Sequence, residues 1–299
     1  MNLVMTSVFG MNAEAIEPFF HSLRISGYSD EVVVFAASIP EESRAVLRKH
    51  QATVVDVENR SVPMTYASLG GKLSRAPLAV YRAYWKYRRD VRCLIVNCWR
   101  FFQFRDYLRS LPKLPEWVLL ADVRDVVFQR NPFSFPYPPG LSAASERSGS
   151  TIGQSRGNSK WLWEVGGFRQ LRRHAKATPI CSGTIVADGT TMRDYLDLMT
   201  EHLRRCYFWG LFDAIDQGLH NYFVHNKMIS PLKIFENWSG PYLTLDSEVI
   251  TPERKTREGY LCNRDESIVP IVHQYDRVRD LFTKGESRPE CWKFYRINP

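Results

Sequence analysis

Residues 117–133 read WVLLADVRDVVFQRNPF. An apolar run, Trp117 to Ala121, ends in two acids, Asp122 and Asp125. A second apolar run, Val126 to Phe128, follows at once, and Asn131-Pro132 then marks a turn. Carboxylates inside an otherwise buried strand need a compensating charge, because burying them alone is costly. A divalent cation between them supplies one, and oxygen ligands suit Mg²⁺ or Mn²⁺. The competing reading is local: Asp122 caps a turn, and Asp125 pairs with Arg124 or Arg130.

On its N-terminal side the chain alternates. Leu3 to Phe9 reads as a strand, and Ala13 to Ser26 as a helix ended by Gly27. Glu31 to Phe35 is a second strand, Pro40 to Lys49 a helix, and Ala52 to Val57 a third strand. This order predicts an α/β fold, with a mostly parallel central sheet and crossover helices on its faces. Two further helices are expected over Ala76–Tyr87 and Cys98–Ser110. In such sheets ligands bind at the carboxyl ends of the strands, and Asp122 lies where strand 117–121 runs out.

After Pro132 the pattern weakens. Residues 134–160 are rich in Ser, Pro and Gly, which suggests a boundary between halves or a mobile loop over a site. Residues 145–160 in particular are expected to be mobile without ligand. Beyond them, Ile180 to Ala187 is a glycine-containing strand, Thr191 to Arg205 a helix, and Ile268 to His273 a late apolar strand. The expected organisation is a single domain over 1–299. It is expected to fall into two halves, 1–133 and 134–299, the second ending in a basic tail.

The 299 residues are 44% hydrophobic and 24% charged, with formal charge +8, a globular composition. Excess base favours anionic partners without choosing among them. None of the six cysteines forms a C-x-x-C pair, which removes zinc-ribbon and thioredoxin readings. Their apolar neighbours suggest buried free thiols and a reducing, cytoplasmic setting. No apolar run is long enough to span a bilayer. The tail from Arg277 to Arg296 mixes base with Phe282, Trp292 and Phe294. Either it packs its aromatics inward or it touches an anionic membrane surface peripherally.

The order of these motifs resembles the GT-A glycosyltransferases. Asp122-Val123-Arg124-Asp125 looks like a D-x-x-D variant of their D-x-D motif. Cys181-Ser182-Gly183-Thr184 resembles their small-residue strand, Asp216-Gln217 the D-Q pair near the anomeric carbon of retaining members, and Val272-His273 the late metal-binding histidine. The pattern is similar to glycosyltransferase family 8 and to the glycosyltransferase domain of lysyl hydroxylases, but it departs from the strict D-x-D. The resemblance implies Mn²⁺ or Mg²⁺ on Asp122, Asp125 and His273, and transfer from a nucleoside diphosphate sugar to a glycan or glycolipid hydroxyl, as in polysaccharide biosynthesis.

It also implies a nucleotide-sugar-binding half over 1–133 and an acceptor-binding half over 134–299. Donor contacts are implied from Thr6, Ser7, Phe35, Arg100 and Asp122, with Ser182 and Gly183 on the donor-site strand that lines the acceptor side, and Asp216 and Gln217 beside the reacting carbon. An inverting reaction needs a base, for which Asp213, Asp188 and Glu164 are the expected acids. Two other classes stay open. A metal-dependent nuclease or nucleotidyltransferase predicts a long basic stripe, whereas the base here is dispersed, so nucleic acid is not the expected partner. A non-catalytic sugar-binding module predicts binding without turnover.

Overall fold

The computed structural model describes residues 1–57, 96–146, 149–205, 215–245 and 259–277. Its main sheet has seven strands, in the order β3-β2-β1-β4-β7-β6-β8. These are β1 (Leu3–Phe9), β2 (Glu31–Ala37), β3 (Thr53–Asp56), β4 (Trp117–Ala121), β6 (Leu141–Ser145), β7 (Ile180–Asp188) and β8 (Leu232–Phe235). The pairs β1–β2, β2–β3, β1–β4 and β6–β8 are parallel; only β7 runs against its neighbours. A second sheet orders β5 (Val126–Phe128), β10 (Ile271–His273) and β9 (Tyr242–Thr244) side by side. The helices are α1 (Ala13–Ile25), α2 (Glu41–Lys49), α3 (Val96–Ser110), α4 (Arg156–His174), α5 (Gly189–Arg205) and α6 (Asp216–His225). The mixed α/β architecture matches the expected GT-A-like fold.

Strand β4 shows why the centre of the sheet is apolar on both faces. Val118 and Leu120 enter one core with Leu3, Met5, Phe101 and Phe104, while Leu119 and Ala121 enter the other with Val4, Val8, Phe19 and Phe20. A period of two sends alternate residues to opposite faces, and both faces are covered by helices. The helix starts and stops follow local chemistry. Asn12 caps α1 by accepting from the Ala15 amide at 3.1 Å. After the helix, Gly27 takes a φ of +88°, a left-handed conformation that favours glycine.

The opening stretch divides between the two sheets. β4 lies in the large one, and the chain then crosses over Asp122–Asp125 so that β5 pairs antiparallel with β10 in the small one. The acids therefore stand where one continuous apolar reading changes sheets. Residues 134–160 differ from expectation. β6 lies within them, fully buried between β7 and β8, and α4 begins at Arg156. Strands from both sides of residue 133 thus share one sheet. The expected helix 76–87 and nearly all of the tail lie outside the described residues. Cys98, Cys181 and Cys262 are buried and form no disulfide among the described residues, while Cys93, Cys206 and Cys291 lie outside the described residues. No described helix is long and apolar enough to cross a membrane.

Candidate functional site

The carboxyl ends of β1 and β4 open onto a cleft. Asp122 follows β4 directly, its amide donating to the Gly183 carbonyl of β7 at 2.9 Å. Asp125 precedes β5, and its carbonyl accepts from the Gln274 amide just beyond β10. The β5–β10 register sets His273 opposite Val126. Consequently His273 Nε2 stands 3.5 Å from Asp125 Oδ1 and 4.0 Å from Asp122 Oδ2. One ligand atom from each of the three residues lies within 4.8 Å of the others.

Three observations fit these residues to a divalent cation. Asp125 Oδ1 is buried and has no hydrogen-bond partner, an arrangement that costs free energy unless something fills it. The donor set is two carboxylates and one imidazole, hard ligands with one nitrogen. Gly183 leaves the space open: a Cβ there would meet His273 Cε1 at 2.7 Å and Asp122 Oδ2 at 2.8 Å. Behind the ring, Cys181 Sγ contacts His273 Nδ1 at 3.2 Å, which leaves Nε2 turned toward the aspartates.

The electrostatics are those of a tightly coupled pair. Burial works to raise the Asp125 carboxyl, but His273, Arg124 and Arg277 outweigh it and hold it below the usual range. Burial works to lower His273; Cys181 and Asp125 outweigh that and hold the ring well above its ordinary value. A cation here would replace that ring proton. Arg124 and Arg277 stand 4.0 and 3.9 Å from Asp125 Oδ2, so the competing pairing of Asp125 with Arg124 is loose.

A buried arginine ties this cluster to the second half of the cleft. Arg100, on α3, binds Asp122 through Nη1 and reaches Asp216 Oδ2 through Nη2 at 3.3 Å. Burial pushes the Asp216 carboxyl up to about 6; Arg100 opposes this, and Asp122 adds to it. Asp216 and Gln217 open α6, and both are buried. The Gln217 amide is fixed on every side. Its oxygen accepts from the Ser182 amide at 2.9 Å, and its nitrogen donates to Glu146 Oε1 at 2.6 Å, Asn158 Oδ1 at 3.2 Å and the Ile180 carbonyl at 3.0 Å. Glu146 Oε2 accepts in turn from Asn158 Nδ2 at 2.8 Å.

The cleft has two lobes that share Asn97, Arg100, Asp122 and Asp125. One is lined by Ser7, Phe9 and Met11 beside β1, the other by Glu146, Asn158, Ser182, Gln217 and His273. The structure thus brings together Ser7, Arg100, Asp122, Asp125, Ser182, Gly183, Asp216, Gln217 and His273. It does not bring in Thr6 or Phe35. Thr6 is mid-strand and donates to the Ala121 carbonyl at 2.8 Å. Phe35 lies inside β2, which runs two residues beyond the expected end, and packs against Phe104 and Tyr107 in the core.

Of the expected bases, Asp213 lies outside the described residues. Asp188 is paired in register with Trp117, at the far end of the sheet, and caps α5 by accepting from the Thr191 amide. Glu164 faces Lys160 at 3.7 Å and does not line the cleft. Glu146 and Asn158 are among the lining residues that sequence reasoning missed, as are Phe9, Met11 and Asn97. For Glu146 the signal was an isolated acid at the end of an unrecognised strand.

No protein-family model matches the chain, and no curated protein sequence matches it. Solved structures do. The galactosyltransferase LgtC, crystallised with donor and acceptor sugar analogues, is similar with a TM-score of 0.53 at 12% identity, over 99% of this chain and 95% of that one. An active-site glutamine-to-glutamate mutant of LgtC is similar with a TM-score of 0.54 at 13% identity, over the same shares. At this identity the likeness is one of fold: the chain has the architecture of a GT-A glycosyltransferase.

Proposed function

We propose that the chain is a metal-dependent glycosyltransferase that moves a sugar from a nucleoside diphosphate sugar to a hydroxyl of a glycan or glycolipid, with retention favoured. The observation that carries this reading is the convergence of Asp122, Asp125 and His273 at the strand ends, around a buried carboxylate oxygen that makes no hydrogen bond. Those three residues would hold Mn²⁺ or Mg²⁺, and the imidazole favours Mn²⁺. When bound, the ion supplies Lewis-acid stabilisation of the charge on a departing diphosphate.

The chain's own groups do the positioning. Ser7, Phe9 and Asn97 line the lobe beside β1, where an open α/β sheet takes a nucleotide. Arg100, tied to Asp122 and Asp216, fixes the two acids relative to each other and adds positive charge where a diphosphate would lie. Gln217 lines the second lobe, the place for the sugar and its acceptor, and is held rigid there by Ser182, Glu146, Asn158 and Ile180. LgtC, the protein of similar fold, also has a glutamine named as an active-site residue. Among the described residues, the lining acids outside the metal-type cluster are Glu146 and Asp216, and both already hold protein partners. That favours retention over an inverting reaction, which needs a free carboxylate base.

The test is incubation of the purified chain with a panel of nucleoside diphosphate sugars and Mn²⁺, following slow donor hydrolysis. One donor should be hydrolysed, and chelation should stop it. Binding without turnover would replace the enzyme with a sugar-binding module. Cleavage of nucleic acid would replace it with a nuclease.

A further inference from the structure

Helix α4 changes character along its length. Gly157, Asn158 and Trp161 line the cleft. At Gly167 the backbone takes a φ of +72° and the helix kinks. Past the kink, Phe168 is 68% exposed, and Arg169, Arg172 and Arg173 surround it on a shallow open face. Trp163, just before the kink, is 46% exposed. Among the described residues only Met1, Trp163, Phe168 and Met228 are large apolar side chains this exposed, so half of them sit on this one helix.

Charge marks the same segment. Residues 149–178 carry six Lys or Arg against one acid, Glu164. That acid's side chain is nearly buried and faces Lys160. Arg169, Arg172 and Arg173 form no ion pair with any described residue. An exposed phenylalanine ringed by unpaired arginines combines an apolar tip with donors for phosphate. That pairing suits the boundary between headgroups and acyl chains. Three arginines within one turn make too short a stripe to track a nucleic acid backbone.

We propose that Phe168, Arg169, Arg172 and Arg173 form a docking surface for an anionic phospholipid bilayer. The surface stands on the helix whose first turns line the cleft, so docking would set the cleft close to the bilayer. The proposal rests on this patch and not on the transferase reading.

The test is flotation of the full chain with phosphatidylcholine vesicles, with and without phosphatidylglycerol, and no donor or metal. The wild type should bind the anionic vesicles only. The triple variant Arg169→Gln, Arg172→Gln, Arg173→Gln should lose about 100-fold in partitioning, at about a factor of five per arginine. Phe168→Ser should lose roughly tenfold, and that loss should persist in high salt. All four residues are exposed, so thermal melts of the variants should match the wild type. Absence of vesicle binding overturns the proposal. So does unchanged binding in the variants combined with complete loss when the basic residues of 278–299 are neutralised. Patch-dependent binding of single-stranded RNA without vesicle binding also overturns it.

Discussion

Among the described residues, two clusters pair carboxylates with imidazoles at ligand distances. Asp122, Asp125 and His273 form one; Glu17, His21 and His50 form the other. What separates them is their partners. Glu17 Oε1 already accepts from Lys49 Nζ at 2.7 Å and faces His50 Nε2 at 3.1 Å, so a cation is already in place. Asp125 Oδ1 makes no hydrogen bond, its nearest charged neighbour His273 Nε2 stands off at 3.5 Å, and Gly183 keeps the adjacent space clear. Ligand-type residues in proximity therefore do not make a site. An unfilled lone pair and room for an ion do, since an orphaned buried oxygen is tolerated only where something else can satisfy it.

The largest expected effect separates the clusters outright. Asp125→Ala should lower metal-dependent turnover by on the order of 10³, because a bound metal supplies several kcal/mol of charge stabilisation. Glu17→Gln should leave turnover unchanged. Calorimetric titration of a nucleoside diphosphate with Mn²⁺ provides the direct check. Wild-type affinity in Asp125→Ala, or a loss in Glu17→Gln, would reverse the assignment.

A smaller effect probes the open space. Gly183→Ala places a methyl against His273 and Asp122. Overpacking of this kind costs about 1–3 kcal/mol. Because the clash falls on the metal-type residues, Mn²⁺ affinity should drop roughly 10- to 100-fold, by the same energy expressed as binding. A variant that melts early but binds Mn²⁺ normally would show that Gly183 serves packing alone.

The smallest effect belongs to the second cluster. Burial works to raise the Glu17 carboxyl, yet Lys49 and His50 outweigh it and hold it below its ordinary value. The folded state therefore favours the ionised form. The pair's contribution is present above the ordinary value of 4.5 and is lost as pH falls through the folded-state value. Lys49 is largely exposed, so Glu17→Gln should cost under about 1 kcal/mol at neutral pH. That penalty should vanish in acid. Thermal melts of both proteins across pH 3 to 7 would show it as converging curves. A gap that widens in acid would mean the carboxyl is neutral in the folded state.

Much of the fold was legible because local patterns persist in it. β1 spans the residues expected of it, and the helix expected at Cys98 begins at Val96. Strand β6 was not legible. Its sequence, LSAAS, has no apolar alternation, and it is buried only because β7 and β8 flank it. Glu146, at its end, was lost with it. Phe35 was misplaced for a related reason: its role depended on where β2 stops, and pairing with β1 carries β2 on to Ala37. Element ends are set by partners more than by propensity.

The sequence by itself determined that an apolar strand runs into two acids and out into another apolar strand, within a chain that begins by alternating strands and helices. Burial energy and backbone periodicity act over a few residues, so they can be read from a few residues. Tertiary structure alone decided that the strand changes sheets at those acids, and that β10 returns in the register that sets His273 beside Asp125. It also decided that Gly183 keeps the space between them and that Gln217 is held by Glu146 and Asn158. These are pairings between distant segments. A one-residue slip in register would turn each side chain to the opposite face, and no local pattern specifies which distant strand a segment will meet.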